Sequence, residues 1–344
     1  MANVFVTGAG GFIGTQLVWA LLQRGDLVHA FTLNGKLTPP PGFLPNDQPD
    51  FTHPNVKLVT GNITDIDSLR HGMAGCSQVY HLAGYAKNWA PNLDPYIQNN
   101  IIGLGRVCAV AKELGVQRVV WTSTMLTFGP TASGVIGEEN TVRTASSFTE
   151  YERSKAAAEH DAAQFAADGL PLVTVNPGRV FGPGRLTEGN SISRLIDMYD
   201  RGKFPFLLGG GRNIGNWVFV EDVVQGLILA MEQGRVGEKY LLGGENASLK
   251  EFFALVDKIS GRRQFQITIR RPAAMVYAWL QKQRAQWFGV YPQITPDWVR
   301  LFLADWAYSS AKAQRELGYR ITPLEEAVRK TYDWLLRVRT AKLD

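Results

Sequence analysis

The sequence predicts an α/β fold: a doubly wound parallel sheet followed by a smaller, mostly helical C-terminal lobe. Three observations carry this. In the first half, short β-branched runs alternate with helical patterns, as in a parallel sheet wrapped by helices. A glycine-rich turn, VFVTGAGGFIGTQL at residues 4–17, joins the first apolar run to the first amphipathic one. After Pro177 the alternation becomes irregular, and a chain of 344 residues exceeds the size at which one hydrophobic core stops growing.

Strands are expected at residues 3–7, 27–33, 56–60, 78–82, 117–122 and 172–175, with helices over 12–24, 66–73, 95–114 and 151–167. Six strands interleaved with helices is the count of a Rossmann sheet. The proline-rich segment 37–54 reads as an extended loop after the second strand. Residues 216–234 read as a strand and a helix that return to the large domain, with Asp222 placed to cap that helix. Capping boxes at Ser248 to Glu251 and Thr322 to Glu325, and the pair Thr295-Pro296, start later helices. The division that follows gives 1–181, with 214–236, to the large domain, and 182–213 and 237–344 to the second lobe. For Trp279, Trp287, Trp298 and Trp306 of that lobe, core packing outweighs pocket lining.

Composition narrows the function classes. With 45% hydrophobic and 19% charged residues, the chain has the make-up of a soluble enzyme. No apolar run reaches the ~20 residues that span a bilayer, so no membrane span is expected. The N-terminus enters its first strand without a basic region or a signal-length apolar segment, which makes a cytoplasmic location the expectation. Cys76 and Cys108 stand apart without a CxxC pair, and His29, His53, His71, His81 and His160 never fall at i, i+4, so neither a disulfide framework nor a metal site is expected. The net charge is +5, with lysines and arginines read as scattered, which argues against nucleic acid as a partner.

The glycine turn carries more. Gly8, Gly11 and Gly14 follow a strand and open a helix that begins near Phe12 and Ile13, so backbone N–H groups face an anion at a helix N-terminus. TGAGGFIG resembles the TGxxGxxG turn of the extended short-chain dehydrogenase/reductase superfamily, and further segments follow in that superfamily's order. GNIT with Asp65 resembles its segment near the adenine, with Asn62, then Ile63, where an aspartate is usual. HLAG, holding Leu82, Ala83 and Gly84, is similar to the segment whose backbone lies along the cofactor. Residues 99–124, ending Thr122-Ser123-Thr124, resemble its long helix and fifth strand. NPGRVFGPG, with Pro177, Gly178 and Val180, and WVFVEDVVQGLILA match further segments. The resemblance spans nearly the whole chain. It implies a nicotinamide dinucleotide held by these residues, a small-molecule substrate, and a homodimer through the helices at 95–114 and 151–167.

Tyr151 and Lys155 form a YxxxK pair one helical turn apart, and Thr124 stands 27 positions earlier, at the end of the fifth strand, where an open α/β sheet presents its crevice. Hydride transfer to a carbonyl needs a proton for the developing alkoxide, and a free tyrosine, with pKa about 10, holds its proton too tightly. A lysine ammonium about 4 Å away, at an effective dielectric of about 20, is worth roughly 4 kcal/mol, or about three pKa units. Lys155 is therefore expected to lower Tyr151, with oxidised nicotinamide adding a second positive charge. Thr124 is expected to donate to the substrate oxygen. Ser123, one residue earlier, points to the other side of the strand. The resemblance adds that Lys155 holds the nicotinamide ribose. Thr32, Leu33 and Asn34 stand where an NAD enzyme places an acid and an NADP enzyme a base. The missing acid, with Lys36 nearby, favours NADP over NAD.

GEKYLLGGENASLKEFFALVDKISGR and YSSAKAQRELGYRITPLEEAVRKTYDWL resemble the group that holds dihydroflavonol reductases, 3β-hydroxysteroid dehydrogenases and hopanoid-associated epimerase-like proteins, whose activities differ widely. Tyr85, Trp89, Met125, Asn176, Phe181 and Trp217 adjoin the superfamily's pocket segments and read as substrate-binding. Their character favours an oxidoreductase that moves a hydride between nicotinamide and a carbonyl or secondary alcohol of an aromatic or polycyclic substrate. Arg185, Arg194, Arg201 and Arg212 keep a nucleotide-sugar epimerase or dehydratase open. A cofactor-binding sensor without turnover is the third reading.

Overall fold

The β-branched runs form a parallel sheet in the computed structural model, which describes residues 1–39, 51–141, 143 and 145–340. Residues 40–50 of the proline-rich segment lie outside the described residues. β1 (Asn3–Thr7) leads through α1 (Phe12–Gln23) to β2 (Leu27–Thr32) and β3 (Val56–Thr60), and α2 (Ile66–Met73) returns to β4 (Gln78–His81). The single helix expected at 95–114 is instead α3 (Asp94–Tyr96), a π-helical turn at Ile97–Ile102, and α4 (Gly103–Glu113). β5 (Arg118–Thr122), α5 (Glu150–Ala167) and β6 (Leu172–Pro177) follow. Beyond them come β7 (Arg179–Phe181), α6 (Ser191–Asp200), β8 (Phe206–Leu208), β9 (Ile214–Phe219), α7 (Val220–Gln233), β10 (Lys239–Leu242), β11 (Glu245–Ser248) and α8 (Leu249–Ser260). The chain continues with β12 (Ile267–Ile269), α9 (Arg271–Phe288), α10 (Pro296–Phe302), α11 (Ala311–Leu317) and α12 (Leu324–Thr340).

The large sheet has seven strands in the order β10-β6-β5-β4-β1-β2-β3, with every neighbouring pair parallel. The order reverses between β1 and β4, which opens the ligand crevice beyond their C-terminal ends. Alternation along β1 serves both faces. Val4 and Val6 pack with Leu17 and Val18 of α1 and Leu227 of α7, while Phe5 packs with Leu69, Leu104 and Ala158 on the other side.

The second lobe differs from its expected bounds. β10 lies within residues assigned to that lobe, yet it completes the large sheet by pairing with β6. β9 instead joins β7 and β11 in a three-stranded sheet, and α7 packs against α1, β5 and β6. Asp222 does not cap α7; it accepts from the backbone N–H and hydroxyl of Thr322, 2.8 and 2.6 Å away, and so pins the approach to α12. Ser248 and Glu251 do form a reciprocal capping box at α8, and Thr295 caps α10.

Candidate active site

The crevice is lined from its phosphate end by the glycine turn. Gly8 has φ +69°, and a Cβ there would stand 2.8 Å from the Ala83 nitrogen. A Cβ on Gly14 would overlap the Gly8 carbonyl oxygen, while Gly11 donates its N–H to that same oxygen at 2.9 Å. β1, β4 and α1 therefore meet at a distance that only glycine permits. α1 starts at Gly11 with no side-chain cap and no acid in its first turn, whereas Asp65, Thr149, Ser248 and Thr295 cap α2, α5, α8 and α10. The Phe12 ring is buried against Gly184, so Phe12 and Ile13 offer their backbone N–H groups to an anion.

Beyond it, the crevice wall has hydroxyls to spare. Thr32 Oγ1 at the end of β2 and Thr122 Oγ1 at the end of β5 are buried without a partner among the described residues. Asn34 accepts from the Lys36 N–H and Asn62 from the Thr64 N–H, so both side chains fix their own loops, and Ile63 packs on Gly103. Leu82 and Ala83 are half-buried and Gly84 is exposed. Pro177 is buried, Gly178 lies against the Asn216 side chain, and Val180 packs on the large core. A cradle without side chains, an uncapped helix and orphaned hydroxyls suit a nicotinamide dinucleotide.

At the reactive end, Thr124 begins the 3-10 turn Met125–Phe128, where its hydroxyl accepts from the Leu126 N–H at 3.3 Å. Tyr151, in the first turn of α5, is half-buried. Burial pushes its phenol up to about 12, and a hydrogen bond from Thr124 works the other way. This corrects the expectation that Lys155 lowers it. Lys155 donates to the Thr122 carbonyl at 2.9 Å and lies 5.0 Å over the Trp121 ring, and burial brings its ammonium down to about 8 against the opposing pull of Glu159. The lysine is thus held on the strand end, with donors left over.

A stability consequence follows. Because the folded-state value for Lys155 lies below the ordinary 10.5, its charge costs folding stability at neutral pH, by about 3 kcal/mol, and the cost fades as pH rises from about 8 towards 10.5. Lys155→Met is expected to melt higher than the parent at pH 7, by an amount reduced by the lost hydrogen bond, with the gap closing above pH 8. Melting scans from pH 6 to 10 check the sign.

Four expected substrate residues do not reach the crevice surface. Met125, Phe181 and Trp217 are enclosed in apolar clusters, and the buried Asn176 donates to the Thr124 carbonyl at 3.0 Å and to Glu159 at 2.7 Å. Being near a pocket in sequence did not say which strand face each side chain takes. Tyr85 and Trp89 are half-buried at the roof, where the Trp89 N–H donates to Tyr291 Oη at 3.2 Å and Trp298 Nε1 to the Asn88 carbonyl at 2.9 Å. Tyr151 and Trp298 pack against the same apolar cluster.

Three positioning features lie outside the sequence reading. Glu159, one turn beyond Lys155, accepts from Ser123 at 2.6 Å, Thr127 at 2.8 Å and Asn176, and pairs with Lys239 of β10. It ties the Thr124 turn to α5, and its i+4 spacing from Lys155 was the only signal. Asn100, in the π-helical turn, accepts from the Tyr85 N–H at 2.7 Å and donates to Ser154 at 2.9 Å. Arg179 of β7 lies 5.2 Å from both the Trp217 and Phe302 rings, its Nη2 buried without a hydrogen-bond partner among the described residues, and burial holds its guanidinium down to about 10.

The sequence matches the NAD dependent epimerase/dehydratase family over residues 4–243. The chain belongs to that family. It is an NAD(P)-dependent enzyme of the extended short-chain dehydrogenase/reductase type. This family member is 28% identical to sterol demethylase protein B of Methylococcus capsulatus, over 96% of its own length and 98% of that protein's. It is 26% identical to sterol-4-alpha-carboxylate 3-dehydrogenase, decarboxylating, of Mus musculus, over 98% and 92% of the two chains. A solved UDP-glucose 4-epimerase from Thermotoga maritima shares its fold, with a TM-score of 0.77 at 20% identity over 99% of this chain and 100% of that one. No helix among the described residues is long and apolar enough to cross a membrane.

Proposed function

We propose that this enzyme moves a hydride between NADP(H) and a carbonyl or secondary alcohol of an apolar, polycyclic or aromatic substrate. The observation that carries the reading is the Thr124 hydroxyl set beside the Tyr151 phenol, with Trp298 packed on the same apolar cluster as the tyrosine and the Trp89–Tyr291 ring pair joined to it through Asn88. When bound in the crevice, the cofactor supplies the hydride. Thr124 orients the substrate oxygen, and Tyr151 gives its proton to the developing alkoxide or takes one from the alcohol in the reverse direction. A phenol held near 12 is protonated at neutral pH, as a donor must be, but binds that proton more tightly than free tyrosine, so positive charge on the bound cofactor would have to offset the effect of burial. Lys155, anchored on Thr122, keeps a positive charge on the cofactor side of the tyrosine.

For the cofactor, the end of β2 offers no acid to repel a 2′-phosphate. Lys36 is exposed there, and Arg185 reaches the same loop by donating to Thr38. That contact also draws Arg185 away from the second lobe. Arg194, Arg201 and Arg212 are exposed, which weakens the nucleotide-sugar reading. Besides Lys155, the fold turns Arg179 inward. Its faces are covered by aromatic rings and its edge is left for a planar oxyanion, so a substrate with an acidic substituent is favoured, in keeping with the carboxylate in the mouse relative's name.

Thermal-shift measurements test the reading, since a ligand at 100 times its dissociation constant stabilises by about 2.7 kcal/mol. NADPH is expected to shift the protein more than NADH, and polycyclic keto acids more than their methyl esters, a preference lost in Arg179→Leu. A shift with UDP-sugars and none with apolar ketones contradicts it.

A further inference from the structure

α9 is built the wrong way round for a helix of a water-surrounded protein. Its small residues, Ala274, Ala278 and Ala285, are the buried ones, the first two resting against Val299, Ile294 and Leu303. Its large apolar residues face out: Trp279 is 52% exposed, Leu280 53%, Trp287 72% and Phe288 73%. Val276 and Tyr277 of the helix, and Val290 and Tyr291 just after it, are exposed as well. Surface helices ordinarily turn their apolar stripe inward, and a contiguous exposed patch of this kind marks a contact surface. Trp279 and Trp287 thus depart from the expected core packing.

Charge identifies the contact. From residue 258 to 296 the chain carries Lys258, Arg262, Arg263, Arg270, Arg271, Lys282 and Arg284 and not one aspartate or glutamate, so this segment holds more positive charge than the net +5 of the whole protein. The basic residues are therefore not scattered, as their wide spacing along the chain suggests. Arg262, Arg263, Arg270, Arg271 and Arg284 are all exposed, and none of the five forms an ion pair among the described residues. Exposed Phe265 and Ile267 extend the apolar patch among them. Tryptophan, phenylalanine and leucine interleaved with arginine is the composition of a helix that lies in a lipid headgroup region. A second copy of the chain fits poorly, because a twofold contact would set these arginines against one another.

We propose that α9 and its flanks dock the enzyme on the surface of an anionic membrane. α9 packs on α10, whose Trp298 shares an apolar cluster with Tyr151, and Tyr291, just after α9, meets the Trp89 ring at 5.9 Å. Docking therefore sets the mouth of the crevice at the lipid surface, where an apolar substrate is concentrated.

Vesicle flotation with the full chain tests this. The protein is expected to float with phosphatidylcholine vesicles containing 30% phosphatidylglycerol and at least tenfold less with pure phosphatidylcholine, binding to fall with added salt, and tryptophan emission to be quenched by brominated acyl chains. The surface double variant Trp287→Glu/Phe288→Glu, with its melting temperature checked against the parent, is expected to lose flotation at least tenfold. No binding to anionic vesicles, undiminished binding of the double variant, or a self-association that this variant abolishes instead would each overturn the proposal.

Discussion

Tyr151→Phe is expected to lower turnover at least about a hundredfold while leaving cofactor affinity within about threefold. The phenyl ring keeps the packing against the cluster of Met125, Leu126 and Trp306, so the change removes the proton donor and little else. Thr124 loses its phenol neighbour and still caps its turn through Leu126. Steady-state kinetics and calorimetric titration of cofactor separate the two effects. Activity retained in the variant would remove Tyr151 from its assigned role.

Gly14→Ala carries the second large effect. Its Cβ would overlap the Gly8 carbonyl, and backbone on both sides leaves no flexible side chain to yield. The turn must open, which is expected to cost about 3 kcal/mol of stability and at least about a hundredfold in cofactor affinity. Gly105 supplies the control. It sits in α4 with nothing near the place of a Cβ, so Gly105→Ala should stabilise by about 0.5–1 kcal/mol through helix propensity and leave binding unchanged. Equal behaviour of the two variants would show that the turn is looser than the fold requires.

The sheet is legible because its inner strands are short apolar runs buried on both faces, its edge strand β3 keeps a β-branched run, and the glycine turn fixes the junction of β1 and α1. β1, β3 and α2 fall at the expected residues. β10 was not legible. Four residues, KYLL, following a turn could join either lobe, and the choice is made by pairing with β6, more than 60 positions away. The π-helical turn leaves no trace in periodicity; within it Asn100 reaches both Tyr85 and Ser154, partners remote in sequence.

Within the site, sequence order could name Thr124, Tyr151 and Lys155 but not their electrostatics. Spacing alone treats the pair as if at uniform dielectric, where a lysine lowers its neighbour. In the fold, burial acts on both groups, and Lys155 turns to a carbonyl instead of the phenol. Phe181 and Trp217 show the limit of arguing from adjacency, because a shift of one residue along a strand reverses the face, and Met125 is turned inward by its 3-10 turn. Glu159 gathers partners from Ser123 just after β5, the Thr124 turn, β6 and β10, a convergence that no local pattern records.

The central claim is net hydride transfer, and its most direct test is isotopic. With nicotinamide-deuterated NADPH and polycyclic ketones, one deuterium is predicted at the carbinol carbon of the product for each cofactor oxidised, and none with Tyr151→Phe on the same time scale. Conversion of a UDP-sugar with the cofactor returned unchanged, and no deuterium delivered to any ketone, would contradict the account.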